Sequence, residues 1–317
     1  MELTLATDNA LAATNAAAVN AAAVYLASLA SPHSRRAMAA ALDRIARMAG
    51  AADAATCPWG AMRAQHTAAI RAQLTESGAA AATVNQALAA LRGTLTAAWR
   101  LGQMTAEELA RATDVKSVKA DRAEAATGRA LTYGEAMALA NATADGTPAG
   151  TRDGAILAIA YACGLRRAEI AALDMADYTQ STGRIMVAKG KGGKQRELFV
   201  DNGAKIAFDK WLTLRGPGAG AIFTPIRRGG HIAGGSMTAQ AIYNVIVGRC
   251  ASANVEGVTP HDFRRTFVGE LLDAGVDLAT AADLAGHSDP ATTKRYDRRG
   301  SRARQQAASR IHWPAAR

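Results

Sequence analysis

The stretch from residue 259 to residue 296 constrains this chain most, because several reactive side chains fall within it at fixed spacings. It opens with the letters TPHD, in which a capping threonine is followed by proline and by a carboxylate at the third helical position. This capping-box pattern predicts that a helix begins here. His261 and Arg264 lie three residues apart and therefore share one face of that helix. The capped start is expected to aim both side chains outward, at the helix end where an anion is favoured.

A second pair of candidates follows a predicted helix end. Gly286 is typical of a helix C-terminus, and His287 comes directly after it in the letters LAGHS. Tyr296 lies nine residues beyond His287, and Pro290 between them predicts the start of another short helix. A lone tyrosine on a helix usually serves packing, and a phenol with a pKa of about 10 is a poor nucleophile. Neighbouring cations would lower the free energy needed to ionise it.

Two cation-rich strings lie upstream. Arg166 belongs to GLRRAEIAAL, where a glycine predicts a tight turn before a helix start. A planar guanidinium held there can bind two phosphate oxygens, although a surface ion pair is the alternative role. Lys191 belongs to KGKGGKQR, between two β-like runs that predict a hairpin. A flexible basic turn is the alternative there, and Lys189 and Lys194 compete with Lys191 for any role in catalysis.

These strings, in this order, resemble the motifs of the tyrosine recombinases, the family of phage integrases and Xer recombinases. GLRRAE is similar to the family's first arginine box, GKGGKQR to its hairpin lysine motif, HDFR to its HxxR box, and LAGHS with the later tyrosine to its last two boxes. The resemblance implies a catalytic set of two arginines, one lysine, two histidines and one tyrosine, namely Arg166, Arg264, Lys191, His261, His287 and Tyr296. Arg265 stands where many relatives have histidine, and Glu169 is expected to brace the turn of the first box.

The resemblance also implies a role for each member of this set. The two arginines would bind the non-bridging oxygens of the scissile phosphate, and Tyr296 would attack its phosphorus. Lys191 would protonate the leaving 5′ oxygen. His261 would hydrogen-bond the phosphate or move protons, and His287 would orient the phosphate or accept the tyrosine proton.

The implied fold is mainly α with a small β-hairpin or sheet, arranged as a two-domain DNA clamp. A helical core-binding (SAM-like) domain is expected over residues 1–111, where apolar residues recur at helical spacing. Residues 112–129 are polar and charged without an apolar period, which predicts an interdomain linker. The mixed α/β catalytic domain of a tyrosine recombinase, with a C-terminal tail, is expected over residues 130–317.

The implied activity is site-specific recombination of double-stranded DNA. A homotetramer on paired sites would cleave and rejoin strands through a 3′-phosphotyrosyl intermediate and a Holliday junction. No appended arm-binding domain is evident, which favours a simple, Xer-like recombinase. The target sequence, the choice among integration, excision and resolution, and an accessory directionality factor stay open. The alternatives are a related tyrosine topoisomerase or telomere resolvase, and a non-catalytic DNA-binding accessory protein.

Composition adds general constraints. The formal net charge of +10 over 317 residues suits a polyanionic partner, but a solvated basic surface explains it equally well. Three widely spaced cysteines form neither a disulfide framework nor a metal motif, which favours a reducing compartment. Carboxylates do not cluster as a two-metal nuclease requires, and the implied chemistry needs no cofactor. Without a signal peptide or an apolar run long enough for a membrane span, the chain is expected to be soluble, cytoplasmic and nucleoid-associated.

Overall fold

The computed structural model describes residues 19–119, 128–188, 195–287 and 289–294. The chain divides into two compact units, Met1–Thr127 and Gly128–Arg317. Both are mainly helical, and the second also contains a small sheet. The predicted fold class, mainly α with a small β-sheet, is therefore confirmed.

The described part of the first unit is a helical bundle. Its helices are α1 (Ala21–Ser28), α2 (Pro32–Met48), α3 (Ala64–Glu76), α4 (Ala81–Arg100) and α5 (Ala106–Thr113). α4 is the central helix and packs against the other four. Its inward face presents Leu88, Leu91 and Leu95 at helical spacing, and each is almost completely buried.

The second unit contains more elements. Its helices are α6 (Tyr133–Thr143), α7 (Pro148–Cys163), α8 (Arg167–Ala172), α9 (Asn202–Arg215), α10 (Ala239–Ser252), α11 (Pro260–Asp273), α12 (Leu278–Ala285) and α13 (Pro290–Lys294). Its strands are β1 (Tyr178–Thr179), β2 (Arg184–Val187) and β3 (Arg196–Phe199).

α7 forms the centre of the second unit, where it packs against α6, α8, α9, α10 and α11. Thr147 caps its start by accepting a hydrogen bond from the backbone N–H of Gly150, and Pro148 occupies the first helical position. Ile156 and Ile159 are fully buried. Because α7 is surrounded by other helices, side chains from those helices can be positioned next to its two ends.

The three strands form an antiparallel sheet in the order β1-β2-β3. Ile185 pairs with Leu198 and Val187 pairs with Arg196 across the predicted hairpin. Ile185, Val187 and Leu198 are buried, as the two-residue period of a strand requires for one face. The pairing places Arg196 at the beginning of β3.

Described residues near the two ends of the range predicted as a linker each contact the unit to which they belong. In the first unit, the side chain of Asn85 exchanges two hydrogen bonds of 2.8 Å with the backbone of Val118. In the second, Arg129 pairs with Glu135 and donates to the carbonyl of Glu256 at 2.7 Å.

Among the described residues, no helix is both long and apolar enough to cross a membrane.

Candidate active site

Arg264 lies inside the second unit, with only 2% of its surface exposed. Its Nη1 donates a hydrogen bond to the carbonyl of Gly164 at 2.7 Å, and its Nη2 donates to the carbonyl of Ala285. Gly164 caps the C-terminus of α7, and Ala285 is the last residue of α12. Both carbonyls therefore lie at helix ends, where they lack a helical partner and where a cation is favoured.

The predicted outward direction of both α11 side chains is right for His261, which is exposed, and wrong for Arg264. The capping box itself is confirmed, because the N–H of Thr259 donates to Oδ2 of Asp262 at 2.9 Å. Packing of α7 and α12 against α11 encloses Arg264. A local helix-start pattern carries no information about such distant neighbours.

Arg166 immediately precedes α8 and is about half exposed. Its Nη2 donates to the carbonyl of Gly286 at 3.0 Å, and its Nη1 donates to Oε1 of Glu169 at 2.9 Å. The turn before it needs glycine, because Gly164 has φ of 55° and a Cβ there would lie 2.4 Å from the Phe267 ring. The guanidinium is thus held by two contacts while it still faces solvent.

Glu169 joins Arg166 to Arg196. Its Oε1 accepts from Nη1 of Arg196 at 3.0 Å, and its Oε2 accepts from Nη2 at 2.7 Å. The backbone N–H of Arg166 also donates to Oε2 at 2.8 Å. Burial alone would raise the pKa of Glu169, but the hydrogen bonds and charges of the two arginines lower it to about 2. These contacts confirm the bracing role predicted for Glu169.

Three arginines converge on the C-terminal end of α12. Successive carbonyls there each accept a hydrogen bond from a different arginine: Leu284 from Arg196, Ala285 from Arg264, and Gly286 from Arg166. The helix ends at Gly286 with φ of 63°, as predicted, and a Cβ at that residue would lie 2.9 Å from Nη1 of Arg196. This helix end therefore fixes the spacing of the three cations.

His287 follows the helix end and is held neutral. Burial, and then the positive charges of Arg264 and Arg166, lower its pKa to about 4. Nε of Arg264 donates to Nε2 of His287 at 3.3 Å, which assigns the ring proton to Nδ1, 2.7 Å from Oγ1 of buried Thr293. Desolvation and the charge of Arg264 also lower the pKa of His261. Both imidazoles are therefore predominantly neutral at pH 7.

A cavity of about 320 Å³ opens beside these groups. Arg166, His261 and Arg264 line it, together with Arg167 and Tyr243. Arginines whose orientation is fixed by protein contacts, next to a neutral imidazole, suit a phosphate that gains negative charge during reaction. Among the described residues, no group of three or more His, Cys, Asp or Glu side chains is placed to hold a metal ion.

The sequence pattern of the phage integrase family matches residues 129–301, which is more than half of the chain. The chain belongs to the phage integrase family. Tyrosine recombinase XerC of Corynebacterium efficiens is 30% identical over 243 residues, covering 75% of this integrase-family chain and 74% of the relative. Tyrosine recombinase XerC of Chromohalobacter salexigens is 36% identical over 160 residues, covering 49% of this chain and 50% of the relative. The predicted resemblance to Xer-like tyrosine recombinases is thereby confirmed.

Solved structures share the fold of this phage integrase family member at low sequence identity. The Tn1549 transposon integrase in complex with transposon right end DNA has a TM-score of 0.67 and 15% identity, covering 92% of this chain and all of that one. A lambda integrase dimer bound to a COC′ core site has a TM-score of 0.67 and 16% identity, covering 93% and 96% of the two chains.

Four of the six predicted site residues lie within the described part of this chain, and the structure brings them together: Arg166, His261, Arg264 and His287. The other two, Lys191 and Tyr296, lie outside the described residues. Their assignment stays a prediction that rests on the hairpin motif and on the spacing after His287.

Arg196 was missed as a member of this arrangement. Its side chain is only 8% exposed, and it contacts both Glu169 and the carbonyl of Leu284. The one sequence signal for it is its position as the final letter of GKGGKQR. An arginine at a strand start after a basic turn ordinarily indicates a solvated surface, so the sequence alone favours the wrong environment.

Proposed function

We propose that this integrase-family chain is a site-specific DNA recombinase whose nucleophile is Tyr296. The observation that carries the proposal is the convergence of Arg166, Arg264 and His261 on one cavity, with His287 hydrogen-bonded to Arg264. Two kinds of comparison support it. Curated relatives named tyrosine recombinase XerC are similar to this chain in sequence, and integrases solved on transposon-end DNA and on core-site DNA have the same fold.

In the proposed cleavage step, the phenolic oxygen of Tyr296 attacks the scissile phosphorus and the bond from phosphorus to the 5′ oxygen breaks. The products are a 3′-phosphotyrosyl link and a free 5′ hydroxyl. Arg166 and Arg264 stabilise the charge that gathers on the non-bridging oxygens. The phenolic proton passes to His287, and Lys191 supplies the proton for the leaving oxygen.

The electrostatics of the site suit this use of His287. In the DNA-free protein, burial and then the charges of Arg264 and Arg166 lower its pKa to about 4, so the ring is neutral and its Nε2 accepts from Nε of Arg264. The proposed proton transfer therefore requires Nε of Arg264 to turn from Nε2 to the phosphate. A phosphate bound between those arginines offsets their positive charge, and the pKa of His287 rises towards its ordinary value. The base therefore becomes stronger when substrate arrives.

In the proposed rejoining step, a 5′ hydroxyl from the partner duplex attacks the phosphotyrosyl phosphorus. The bond from phosphorus to the tyrosine oxygen breaks, and Tyr296 regains its proton. One phosphate ester bond replaces another throughout, so the exchange consumes no nucleotide. We propose that four copies act on two DNA sites through a Holliday junction; a lambda integrase tetramer has been solved on such a junction, with the same fold and a TM-score of 0.67.

The domain roles are part of the same proposal. Residues 1–111 would bind the DNA duplex, residues 112–129 would link the two domains, and residues 130–317 would catalyse strand cleavage and rejoining. The first unit supports this with an exposed basic side on α2, where Arg35 and Arg36 lie in the first turns and Arg47 lies in the last. Phosphate contacts from such a surface give affinity without base specificity.

The test uses short duplexes cut from the DNA that flanks the gene, each with a nick near a candidate site. A denaturant-resistant protein–DNA adduct is expected with the unmodified protein and is expected to disappear in Tyr296→Phe, while both proteins bind the DNA equally. Tyr133→Phe is the matched control, because Tyr133 is 78% exposed on α6 and takes no part in the proposed site. Its adduct should be unchanged.

The other outcomes distinguish the alternatives. Binding without an adduct in either protein would indicate a DNA-binding accessory protein and would contradict the proposal. An adduct in Tyr296→Phe would assign the nucleophile to another residue. In a second assay on supercoiled plasmids that carry two copies of the cleaved site, relaxation without strand exchange between the copies would indicate a topoisomerase.

A further inference from the structure

Arg167 lines the same cavity as Arg166 but is held in a different way. Its guanidinium carbon lies 5.4 Å from the centroid of the Tyr243 ring on α10, a cation–π geometry. Arg167 is exposed, whereas Tyr243 is half-buried. The tyrosine ring therefore orients an arginine that would otherwise sample many rotamers.

The charge of Arg167 is also less compensated than that of its neighbours. Arg166 and Arg196 share the carboxylate of Glu169. Within the described residues, Arg167 forms no ion pair with a carboxylate. An aromatic ring holds the guanidinium without neutralising it, so its positive charge remains directed towards the cavity and solvent.

We infer that Arg167 binds the phosphate next to the scissile one on the cleaved DNA strand, and that Tyr243 positions it for this contact. The inference rests on the proposed function. Arg166 and Arg167 are consecutive and line one cavity. When the scissile phosphate of a DNA strand contacts Arg166 and Arg264, the neighbouring phosphate of that strand lies beside Arg167, the next cation that lines the cavity. Arg167 is thus a substrate-binding residue that fixes the position of the cleaved DNA strand in the site.

The test is a double-mutant cycle between protein and DNA. Full-length protein carrying Tyr296→Phe, which cannot form the adduct, is titrated with the nicked duplex. Single phosphates are replaced in turn by neutral methylphosphonates at the scissile position and at each adjacent position. Arg167→Ala is expected to weaken binding of the unmodified duplex about five- to tenfold and to reduce the salt slope of log K by about 0.9, as expected for the loss of one phosphate contact.

The diagnostic result is non-additivity. At one adjacent position, the methylphosphonate should weaken binding with Arg167 present and have no further effect in Arg167→Ala. Tyr243→Phe keeps the ring and should retain this coupling, whereas Tyr243→Ala should reduce it. Lys210→Ala, at an exposed cation on α9, is the control for non-specific charge and should be additive with every methylphosphonate.

Two failures are distinguishable. If the Arg167→Ala and methylphosphonate effects add at both adjacent positions while the unmodified protein forms its adduct, the assignment of Arg167 is overturned and the proposed function stands. If no adduct forms on DNA that binds tightly, the proposed chemistry is overturned. Non-additivity at one phosphate would then still establish Arg167 as a backbone contact. Circular dichroism confirms that each variant is folded.

Discussion

The carboxylate of Glu169 and the guanidinium of Arg196 form a two-point ion pair, with oxygen–nitrogen distances of 3.0 and 2.7 Å. Both side chains are largely buried. The pair joins the start of β3 to α8, and Arg196 continues to the carbonyl of Leu284 at 3.0 Å. Because Glu169 also holds Arg166, the orientation of a candidate phosphate-binding group depends on a residue outside the predicted catalytic set.

Removing Arg196 should destabilise the second unit strongly. In Arg196→Ala, Glu169 loses its main partner in a buried environment, and the free energy of unfolding should fall by about 3–5 kcal/mol. Arg184→Ala is the matched control, because Arg184 forms an exposed pair with Glu197 on the same sheet and should change stability by less than about 1 kcal/mol. Urea unfolding followed by hydrogen exchange in α7 measures both. Equal effects for the two variants would contradict this reading of the pair.

Arg264→Lys should abolish most of the proposed activity although it preserves the charge. A lysine cannot reproduce the planar fork that reaches the carbonyls of Gly164 and Ala285 together with His287. The rate of adduct formation on a nicked duplex should fall by at least about a hundredfold. Arg184→Lys, at an exposed position, should keep the rate within about twofold. An Arg264→Lys rate close to that of the unmodified protein would show that Arg264 is only structural.

His287 should titrate far below an ordinary histidine. Its pKa is about 4 in the folded protein against 6.5 in the unfolded chain, so between these values the unfolded state binds a proton that the folded state does not. The contribution of His287 to the free energy of unfolding therefore has its full value above about pH 6.5 and declines as the pH falls towards 4. The ε1 proton resonance in an NMR titration, assigned by its loss in His287→Gln, should show a midpoint of about 4. A midpoint near 6.5 would contradict the combined effect of burial and of the neighbouring arginines on this pKa.

Gly128 should be intolerant of alanine. Its φ is +106°, and an added Cβ would lie 2.4 Å from Oδ1 of Asp262, while its carbonyl accepts from Arg265 at 2.7 Å. Gly128→Ala should lower the free energy of unfolding by about 1–3 kcal/mol. Gly134→Ala is the control, since its Cβ would meet no atom within 4 Å and α6 should gain up to about 1 kcal/mol. Urea titration of both variants is the measurement, and a neutral Gly128→Ala would mean that the segment can move away from α11.

Several features of the site were predictable because they depend on adjacent residues. The capping box at Thr259, the helix end at Gly286 and the bracing by Glu169 are short-range hydrogen-bond patterns, and the structure contains all three. The antiparallel pairing of β2 with β3 is equally local, since two β-like runs flank a glycine-rich sequence. Order and spacing of the boxes were then sufficient for the family, which the comparison with known proteins confirms.

The environment of each cation was decided by tertiary structure. Arg264 and Arg196 are buried, while Arg166 and Arg167 are exposed, and nothing in the letters around them separates the two pairs. The carbonyls at the end of α12 come from residues about 20 to 120 positions away from the arginines that they bind. A sequence determines which groups can form hydrogen bonds and where helices begin and end. Packing of helices that are distant in sequence determines which of those groups meet, because burial and partner choice depend on the whole chain.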